Sequence, residues 1–415
     1  MTDAVLDDLP VTLADIEGAR TLLAGSILRT PLLPAPRLSR LTGADVWIKY
    51  ENFQVTASFK ERGALVKLSR LAPDEAQRGV VAMSAGNHAQ AVAYHGRRMG
   101  ISTTIVMPET TPQVKVMATE AHGASVILYG DTVSDAFREA ERIAKVDGRV
   151  FVHPYDDPDV IAGQGSIALE MIEDGPRFDM VVVPIGGGGL ISGMAIAFAA
   201  HSPETEIIGV EAALYPAMWS ALTGQPRPCG GPTLAEGIAV PTAGGNTEKI
   251  IRRLVPSIIL AEESALERSV NALLMHQKTL AEGAGAAGLA ALLTEPERFR
   301  GKTVGLVVSG GNIDERVLAG ILLRELEREC RIVSFRLTLM DRPGMLGRIS
   351  TLIGQLGGNI LDVHHSRTFL DVPAKGARLD LTLETRDKLH ADVIQKALEE
   401  MGLPVQRLGA GTVDW

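Results

Sequence analysis

From about residue 45 to residue 325, short apolar runs alternate with amphipathic stretches, and no other feature of the chain narrows its fold so far. The runs read as strands: "VWIKY", "GVVAMS", "TTIVMP", "ASVILYG", "RVFVH", "MVVVPI", "EIIGVEA" and "KTVGLVVS". Between them lie helical patterns such as "NHAQAVAYHGRRMG" and "TVSDAFREAERIAK". Parallel neighbours need a long crossover, and a helix supplies it. The alternation therefore predicts an α/β fold with a largely parallel sheet. Ligands of such sheets collect beyond the carboxyl ends of the strands, where loops meet helix N-termini.

The pattern stops at "LLRELERECR". Beyond it the chain reads strand ("RIVSFRLTLM"), turn ("DRPG"), helix ("MLGRISTLIGQLG"), two strands ("NILDVHHSR", "ARLDLTLET"), helix ("DKLHADVIQKALEEMG") and a last strand ("LPVQRL"). That βαββαβ order predicts a ferredoxin-like open-faced sandwich. We expect one region over 1–328, with a small subdomain at about 54–155 and a large one from the remainder, then a separate domain over 329–415.

The chain's 415 residues exceed one ordinary core, in keeping with several domains. The net charge of -9 comes without any block of lysines or arginines, which argues against nucleic acid or an anionic membrane as partner. Cys229 and Cys330 have neither disulfide-framework nor metal-ligand spacing, so a reducing, cytoplasmic setting is expected, with no metal. The acidic start, "MTDAVLDDLPVTLADIEGAR", lacks the basic and apolar segments of a signal peptide. Met180 to Ala200 holds no charge and is long enough to span a bilayer, but it contains Pro184 and Gly186 to Gly189. It reads instead as a buried strand, a glycine loop and a helix.

Three polar or glycine-rich loops follow strands: "SAGNHAQ" (Ser84–Gln90), "GGGGL" (Gly186–Leu190) and "SGGN" (Ser309–Asn312). Four glycines opening a helix let several backbone N–H groups turn toward one anion; a plain tight turn needs only one or two. Gly283, Gly285 and Gly288 match the dinucleotide fingerprint, but a helical segment precedes them where a strand is required. "GKT" at Gly301 to Thr303 precedes a strand and has Pro296 where an ATP loop has its first glycine.

Lys60, in "VTASFKERG", opens a helical segment at the end where a cation opposes the dipole. Ser58 or Thr56 is expected to cap that helix, with Glu61 in its first turn. On position alone Lys60 is either a solvated charge or an amine placed for chemistry. A small phosphorylated carbonyl cofactor would use the lysine, the glycine cradle and the third loop together.

In their order, "SFKERGA", "SAGNHAQ", "GGGGLISG" and "SGGN" resemble the pyridoxal-phosphate enzymes of fold type II, and among them the threonine ammonia-lyases (threonine dehydratases). The resemblance covers roughly residues 10 to 325 and implies the two-domain fold of the tryptophan synthase β type. "DRPGMLGRIS" with "GGNILDV" resembles an ACT regulatory domain, as in the medium-length form of the enzyme.

The resemblance implies that Lys60 binds pyridoxal 5'-phosphate as a Schiff base and takes the substrate Cα proton. Phe59 is implied to lie against the ring, Asn87 at its 3-oxygen and Ser309 at its nitrogen. Gly186, Gly187, Gly188, Gly189 and Leu190 are implied to hold the phosphate. Ser84, Ala85, Gly86, Asn87 and His88 are implied to seat the substrate carboxylate, with Ser84 also counted as catalytic. Gly237 and Glu282 complete the pocket, although Glu282 also reads as an ordinary helix-start acid. The expected reaction is α,β-elimination of L-threonine to 2-oxobutanoate and ammonia, and of L-serine to pyruvate, in isoleucine biosynthesis or threonine catabolism. Gly344, Met345, Leu346 and Asn359 are the expected effector contacts, for a branched-chain amino acid. Assembly alone is the other use of that domain, and a homodimer or homotetramer is expected.

Two departures separate the chain from serine racemases of the superfamily. Those enzymes carry a serine where this chain has Ala85, and they build a divalent-metal site where this chain has Glu211 but no second acid in "AALYPAMWS". Another hydroxy-amino-acid ammonia-lyase, a racemase-like enzyme and a non-catalytic amino-acid-binding regulator stay open as alternatives.

Overall fold

A computed structural model describes residues 8–367 and 376–409; the start of the acidic segment, 1–7, lies outside them. The chain divides into two units, Met1–Ile313 and Asp314–Trp415, so the helix Glu315–Arg328 groups with the second.

The first unit contains two sheets. Ten strands build them: β1 (Leu32–Pro34), β2 (Asp45–Tyr50), β3 (Val80–Met83), β4 (Thr103–Met107), β5 (Ser125–Leu128), β6 (Val150–Phe151), β7 (Met180–Pro184), β8 (Glu206–Ala212), β9 (Ser257–Ala261) and β10 (Thr303–Val308). The small sheet runs β5-β4-β3-β6 and is parallel throughout. The six-stranded sheet runs β1-β2-β10-β7-β8-β9, with only β1 antiparallel to its neighbour. The chain leaves the large sheet after β2, completes the small one, and returns at β7. Strand β10 then pairs with β2, Val304 opposite Val46.

Helices cover both faces of the small sheet, which is why its strands read as continuous apolar runs. Val80 and Ala82 pack with Ala64, Leu68 and Val92 on one side. Val81 and Met83 pack with Ala136, Ala140 and Ile143 on the other. Helix Val133–Asp147, which supplies those last three, starts at a reciprocal cap between Thr132 and Asp135 and ends at Gly148 with φ +64°. Strand β6 is shorter than "RVFVH" suggests, because the backbone turns at once: His153 Nδ1 accepts from Tyr155 N at 3.3 Å and from Asp156 N at 2.9 Å. Two edge strands, β1 and β9, are absent from the strands read in the sequence; each is short, and only part of each is buried.

Helix Pro158–Asp174 fixes the relation between two site-bearing helices by glycine contacts. A Cβ on Gly163 would lie 2.7 Å from Gly63 Cα in helix Lys60–Ser69. One on Gly193, in helix Gly189–His201, would lie 2.6 Å from Gly165 N. Without side chains at these points, backbones approach closely and the helices cannot slide apart or rotate freely.

The second unit is an antiparallel sheet, β12-β13-β11-β14, built from β11 (Ile332–Met340), β12 (Asn359–Ser366), β13 (Gly376–Glu384) and β14 (Val405–Leu408). Val333, Phe335, Leu337 and Leu339 alternate inward from β11 and pack with Ile349 and Ile353 of helix Met345–Gln355 and with Ile394 and Leu398 of helix Lys388–Glu400. The intervening positions carry polar groups, and Arg336 grips Asp380 with two hydrogen bonds of 2.9 Å. This is the period-2 pattern of a half-covered sheet. No helix among the described residues is long and apolar enough to cross a membrane; Met180 to Ala200 forms β7, the glycine loop and most of a helix.

Candidate active site

The three loops lie at the carboxyl ends of β3, β7 and β10. The segment carrying Lys60 is bonded to the third of them. Phe59 N donates to Ser309 O at 3.0 Å, Gly311 N donates to Ala57 O at 2.9 Å, and Ser58 forms a bridge with Gly310. Ala57 has φ +54°, a conformation unfavourable for a residue with a Cβ, and it allows the chain to make this turn.

That pairing overturns the expected cap. The N-cap of helix Lys60–Ser69 is Phe59, without a side-chain hydrogen bond. The hydroxyls of Thr56 and Ser58 are buried with no hydrogen-bond partner among the described residues, and the Glu61 carboxylate accepts from Thr56 N instead. The segment is committed to the third loop, so it cannot also fold back over its own helix.

Lys60 Nζ donates to Pro154 O at 2.6 Å and lies 5.2 Å from the Phe59 ring centroid. Burial pulls its pKa down to about 8, against the opposing pull of the Glu282 charge. With its pKa lowered by burial and no carboxylate bonded to it, about a tenth of the amine is uncharged at pH 7, far more than for an exposed lysine. The Phe59 ring itself packs against the main apolar core.

In the first loop, Gly86 N donates to Ser84 Oγ at 3.1 Å, so the Ser84 hydroxyl orders the turn. Helix Asn87–Met99 begins there, and its first N–H groups, on Asn87, His88 and Ala89, have no intrahelical acceptor. The His88 ring is buried against Val152 O at 2.9 Å, and burial drives its pKa down to about 3, so the imidazole is neutral. What His88 offers the cleft is its backbone.

In the second loop Gly188 has φ +93° and caps helix Gly189–His201, whose first N–H groups are likewise free of intrahelical acceptors. A Cβ on Gly187 would fall 2.2 Å from the Tyr155 ring, and one on Gly189 would fall 2.8 Å from Tyr155 O. Thr247 Oγ1 donates to Gly187 O at 2.7 Å. Asp156 in turn caps helix Gly245–Leu254, accepting from Gly245, Asn246 and Thr247 N at 2.9, 2.9 and 3.0 Å. The Leu190 side chain belongs to the core, leaving only its N–H for an anion.

Asn87, Glu282, Gly237 and Gly310 converge. Asn87 Nδ2 donates to Glu282 Oε1 at 2.6 Å, and Glu282 N donates to Gly310 O at 3.1 Å. A Cβ on Gly237 would lie 3.3 Å from Glu282 Oε1, and one on Gly310 only 2.4 Å from it. Glu282 precedes helix Gly283–Thr294, yet its carboxylate makes no capping bond and turns to Asn87 instead. Burial pushes its pKa up to about 7, opposed by the Asn87 hydrogen bond. The glycines of "GAGAAG" pack this helix on its neighbours: a Cβ on Gly285 would meet Gly310 O at 2.2 Å. Both oxygens of Glu211 accept from backbone, Met218 N and Trp219 N, each at 2.8 Å.

Sequence reasoning did not select Tyr155, Asp156, Thr247 or Asn312. Asn312 stood inside a quoted motif, while the other three act across gaps of 32 to 91 residues that no spacing rule joins.

Residues 23–310 match the family of pyridoxal-phosphate dependent enzymes, and residues 333–402 match the ACT domain. L-threonine ammonia-lyase of Thermotoga maritima is 42% identical over 401 residues, 96% of this chain and 100% of the relative. The processed form of threonine deaminase isoform 2 from Solanum lycopersicum superposes with a TM-score of 0.72 at 33% identity, covering 78% of this chain and 89% of that one. Serine racemase from Dictyostelium discoideum gives a TM-score of 0.68 at 32% identity, covering 73% and 99%. Fold alone therefore does not separate deaminase from racemase. Matched along nearly its whole length by a relative of the first kind, the chain belongs to the pyridoxal-phosphate dependent enzymes, within the L-threonine ammonia-lyase family, and carries an ACT domain at its C-terminal end.

Proposed function

We propose that the protein eliminates water from L-threonine and releases 2-oxobutanoate and ammonia, with L-serine giving pyruvate by the same path. The observation that carries this reading is the Lys60 amine, depressed to about 8 and held on a neutral carbonyl where the Asn87 and Ser309 loops meet. The residues present fit pyridoxal 5'-phosphate. The tetraglycine turn offers free N–H groups to a phosphate, space at Gly187 admits no side chain, and a reactive amine lies in the same unit. Bound there, the cofactor supplies an electron sink for the pair left when the substrate Cα–H bond breaks.

In this reading each residue of the site has a part. Lys60 Nζ would hold the cofactor and would be the base that accepts the substrate Cα proton. Gly186 to Gly189 and the Leu190 N–H hold the phosphate. Asn87 would donate to the ring oxygen, Ser309 would face the ring nitrogen and Phe59 would lie against the ring face. The Ser84–Ala85–Gly86 turn and the N–H groups of Asn87 and His88 seat the substrate carboxylate, with Gly237 and Glu282 closing the wall. Loss of the β-hydroxyl as water leaves an enamine, whose imine tautomer hydrolyses to the 2-oxo acid and ammonia.

Steady-state turnover of a panel of 3-hydroxy amino acids tests the substrate, with L-threonine and L-serine expected to lead. Lys60→Ala is expected to abolish turnover and remove the absorption band of cofactor bound through the lysine. Full activity in that variant would sink the mechanism.

We further propose that the ACT domain binds a branched-chain amino acid. Gly344, with φ +86°, caps helix Met345–Gln355; Met345 N already donates to Arg342 O at 3.3 Å, so Leu346 N is the first-turn N–H left for a carboxylate. Asn359 lies past the other end of that helix, about 16 Å away at 1.5 Å per residue, with Nδ2 on Glu384 Oε2 at 3.2 Å. A small effector touching both groups must bridge two copies of the domain, which joins regulation to assembly as a homodimer or homotetramer.

A further inference from the structure

Asn312 ends the "SGGN" loop, and its side chain is the start of a hydrogen-bond relay with a fixed direction. Its Nδ2 donates both hydrogens, to Thr56 O at 2.9 Å and to Asn87 Oδ1 at 2.8 Å. Asn87 Nδ2 then donates to Glu282 Oε1 at 2.6 Å. The two ends of the relay decide the polarity of everything between them. Thr56 O is a backbone carbonyl and can only accept, which turns Asn312 Nδ2 toward it and toward Asn87 Oδ1; Glu282 Oε1 then accepts from Asn87, and an unprotonated carboxyl oxygen serves there in either charge state. Turning over Asn87 would set nitrogen against nitrogen in the middle and oxygen against oxygen at Glu282, and turning over Asn312 would set oxygen against oxygen at both Thr56 and Asn87. The orientation usually ambiguous in an asparagine is therefore fixed by its neighbours.

The anchor at Thr56 is itself held. Thr56 N donates to the Glu61 carboxylate, Ala57 O accepts from Gly311 N at 2.9 Å, and Ala57 sits at φ +54°. At the far end the space is closed: a Cβ on Gly310 would lie 2.4 Å from Glu282 Oε1 and 2.9 Å from Asn87 Nδ2. Between these anchors Asn87 has one Nδ2 hydrogen committed to Glu282 and one left over.

We propose that Asn312 is a positioning residue for the reaction: it locks the Asn87 amide so that the remaining Asn87 N–H is the donor presented to the cofactor's ring oxygen. The inference rests on the placement of Asn87 at that oxygen given under Proposed function. Asn312 itself touches neither cofactor nor substrate. An aspartate at 312 has the same shape and no donor. It draws an Asn87 N–H toward itself, sets Asn87 Oδ1 against Glu282, and leaves the ring oxygen with an acceptor in place of a donor.

The test uses purified, cofactor-loaded enzyme and follows the pH titration of the cofactor's absorption band without substrate, together with kcat and KM. Asn312→Asp and Asn312→Ala are each expected to shift the band's apparent pKa and lower kcat about three- to tenfold, the scale of one lost hydrogen bond, with a smaller change in KM. In an Asn87→Ala background the same substitutions should add nothing, since Asn312 acts only through Asn87. Thermal melting identifies any variant that is merely unfolded, and Asn312→Ala carries the test if the aspartate variant does not fold. An unshifted band and full kcat in both folded variants, or an equal loss in the Asn87→Ala background, overturns the role of Asn312. A band that Asn87→Ala itself leaves unmoved shows instead that Asn87 does not meet the cofactor, and the placement beneath the inference falls with it.

Discussion

Ala85 stands directly before Gly86 and Asn87, half-buried, and its methyl packs against the apolar core of the small sheet. A proton can be returned to the second face of a planar carbon only by a group with a proton to give, and a methyl has none. Elimination without racemisation is the expected outcome. Chiral chromatography of residual L-serine during turnover checks it: D-serine accumulating as fast as pyruvate would count against this placement of Ala85. Ala85→Ser, the reverse experiment, should introduce only slight racemisation, because a hydroxyl alone does not rebuild the surroundings that tune it.

Helix Lys60–Ser69 delivers the reactive amine, and one turn of it is fixed by buried charge. Arg62 is fully buried, donating to Glu51 at 2.8 and 2.7 Å and to Glu170 at 2.7 and 2.8 Å. Lys49 Nζ completes the cluster on Glu170 at 2.6 Å, giving two cations and two carboxylates. Lys49 comes from β2, Glu51 from the short turn of helix Glu51–Phe53, Glu170 from helix Pro158–Asp174 and Arg62 from the lysine helix, so the cluster joins four elements. Arg62→Met strands the Glu51 carboxylate in the interior, leaves Glu170 with Lys49 alone, and should cost about 3–5 kcal/mol of stability. Urea denaturation of the folded protein measures it, and an unchanged midpoint with an unchanged slope would show that the cluster contributes nothing net. A change in slope alone would report on the denatured state instead.

The two units of the chain have separate cores, and the second has its own sheet and helix pair. A regulator on such a unit works only by binding one state of the enzyme better than another, and such couplings are typically ~1–3 kcal/mol. Isoleucine or valine should therefore shift activity several-fold. Removing residues 331–415 should leave a catalytic enzyme that no longer responds. Titration calorimetry showing no branched-chain amino acid bound to the intact protein, with turnover equally indifferent, would leave assembly as the better account of the domain.

Much of this architecture is carried by local pattern. Apolar runs alternating with helical stretches specify parallel strands and crossover helices because both periodicities are properties of adjacent residues. The βαββαβ order of the last domain is legible for the same reason, since β11 alternates inward and outward throughout and β13 does so from Ala377 onward. Lys60 and the three loops could be singled out by composition and order, and a four-glycine turn is informative wherever it occurs. Tertiary structure alone decided the rest. Edge strand β1 has three residues, too few for a period to declare itself, and pairing with neighbouring strands is what makes strands of both β1 and β9. The cap expected of Thr56 and Ser58 gave way to bonds with Gly310 and Ser309, some 250 residues on, because a local hydrogen bond competes with every partner the fold brings near. Glu282 could be a helix-start acid or a pocket acid on sequence alone, and its contact with Asn87, 195 positions away, decided its side-chain partner. Tyr155, Asp156, Thr247 and Asn312 act only through atoms that chain distance hides, so their roles exist in the folded protein and nowhere in the string of residues.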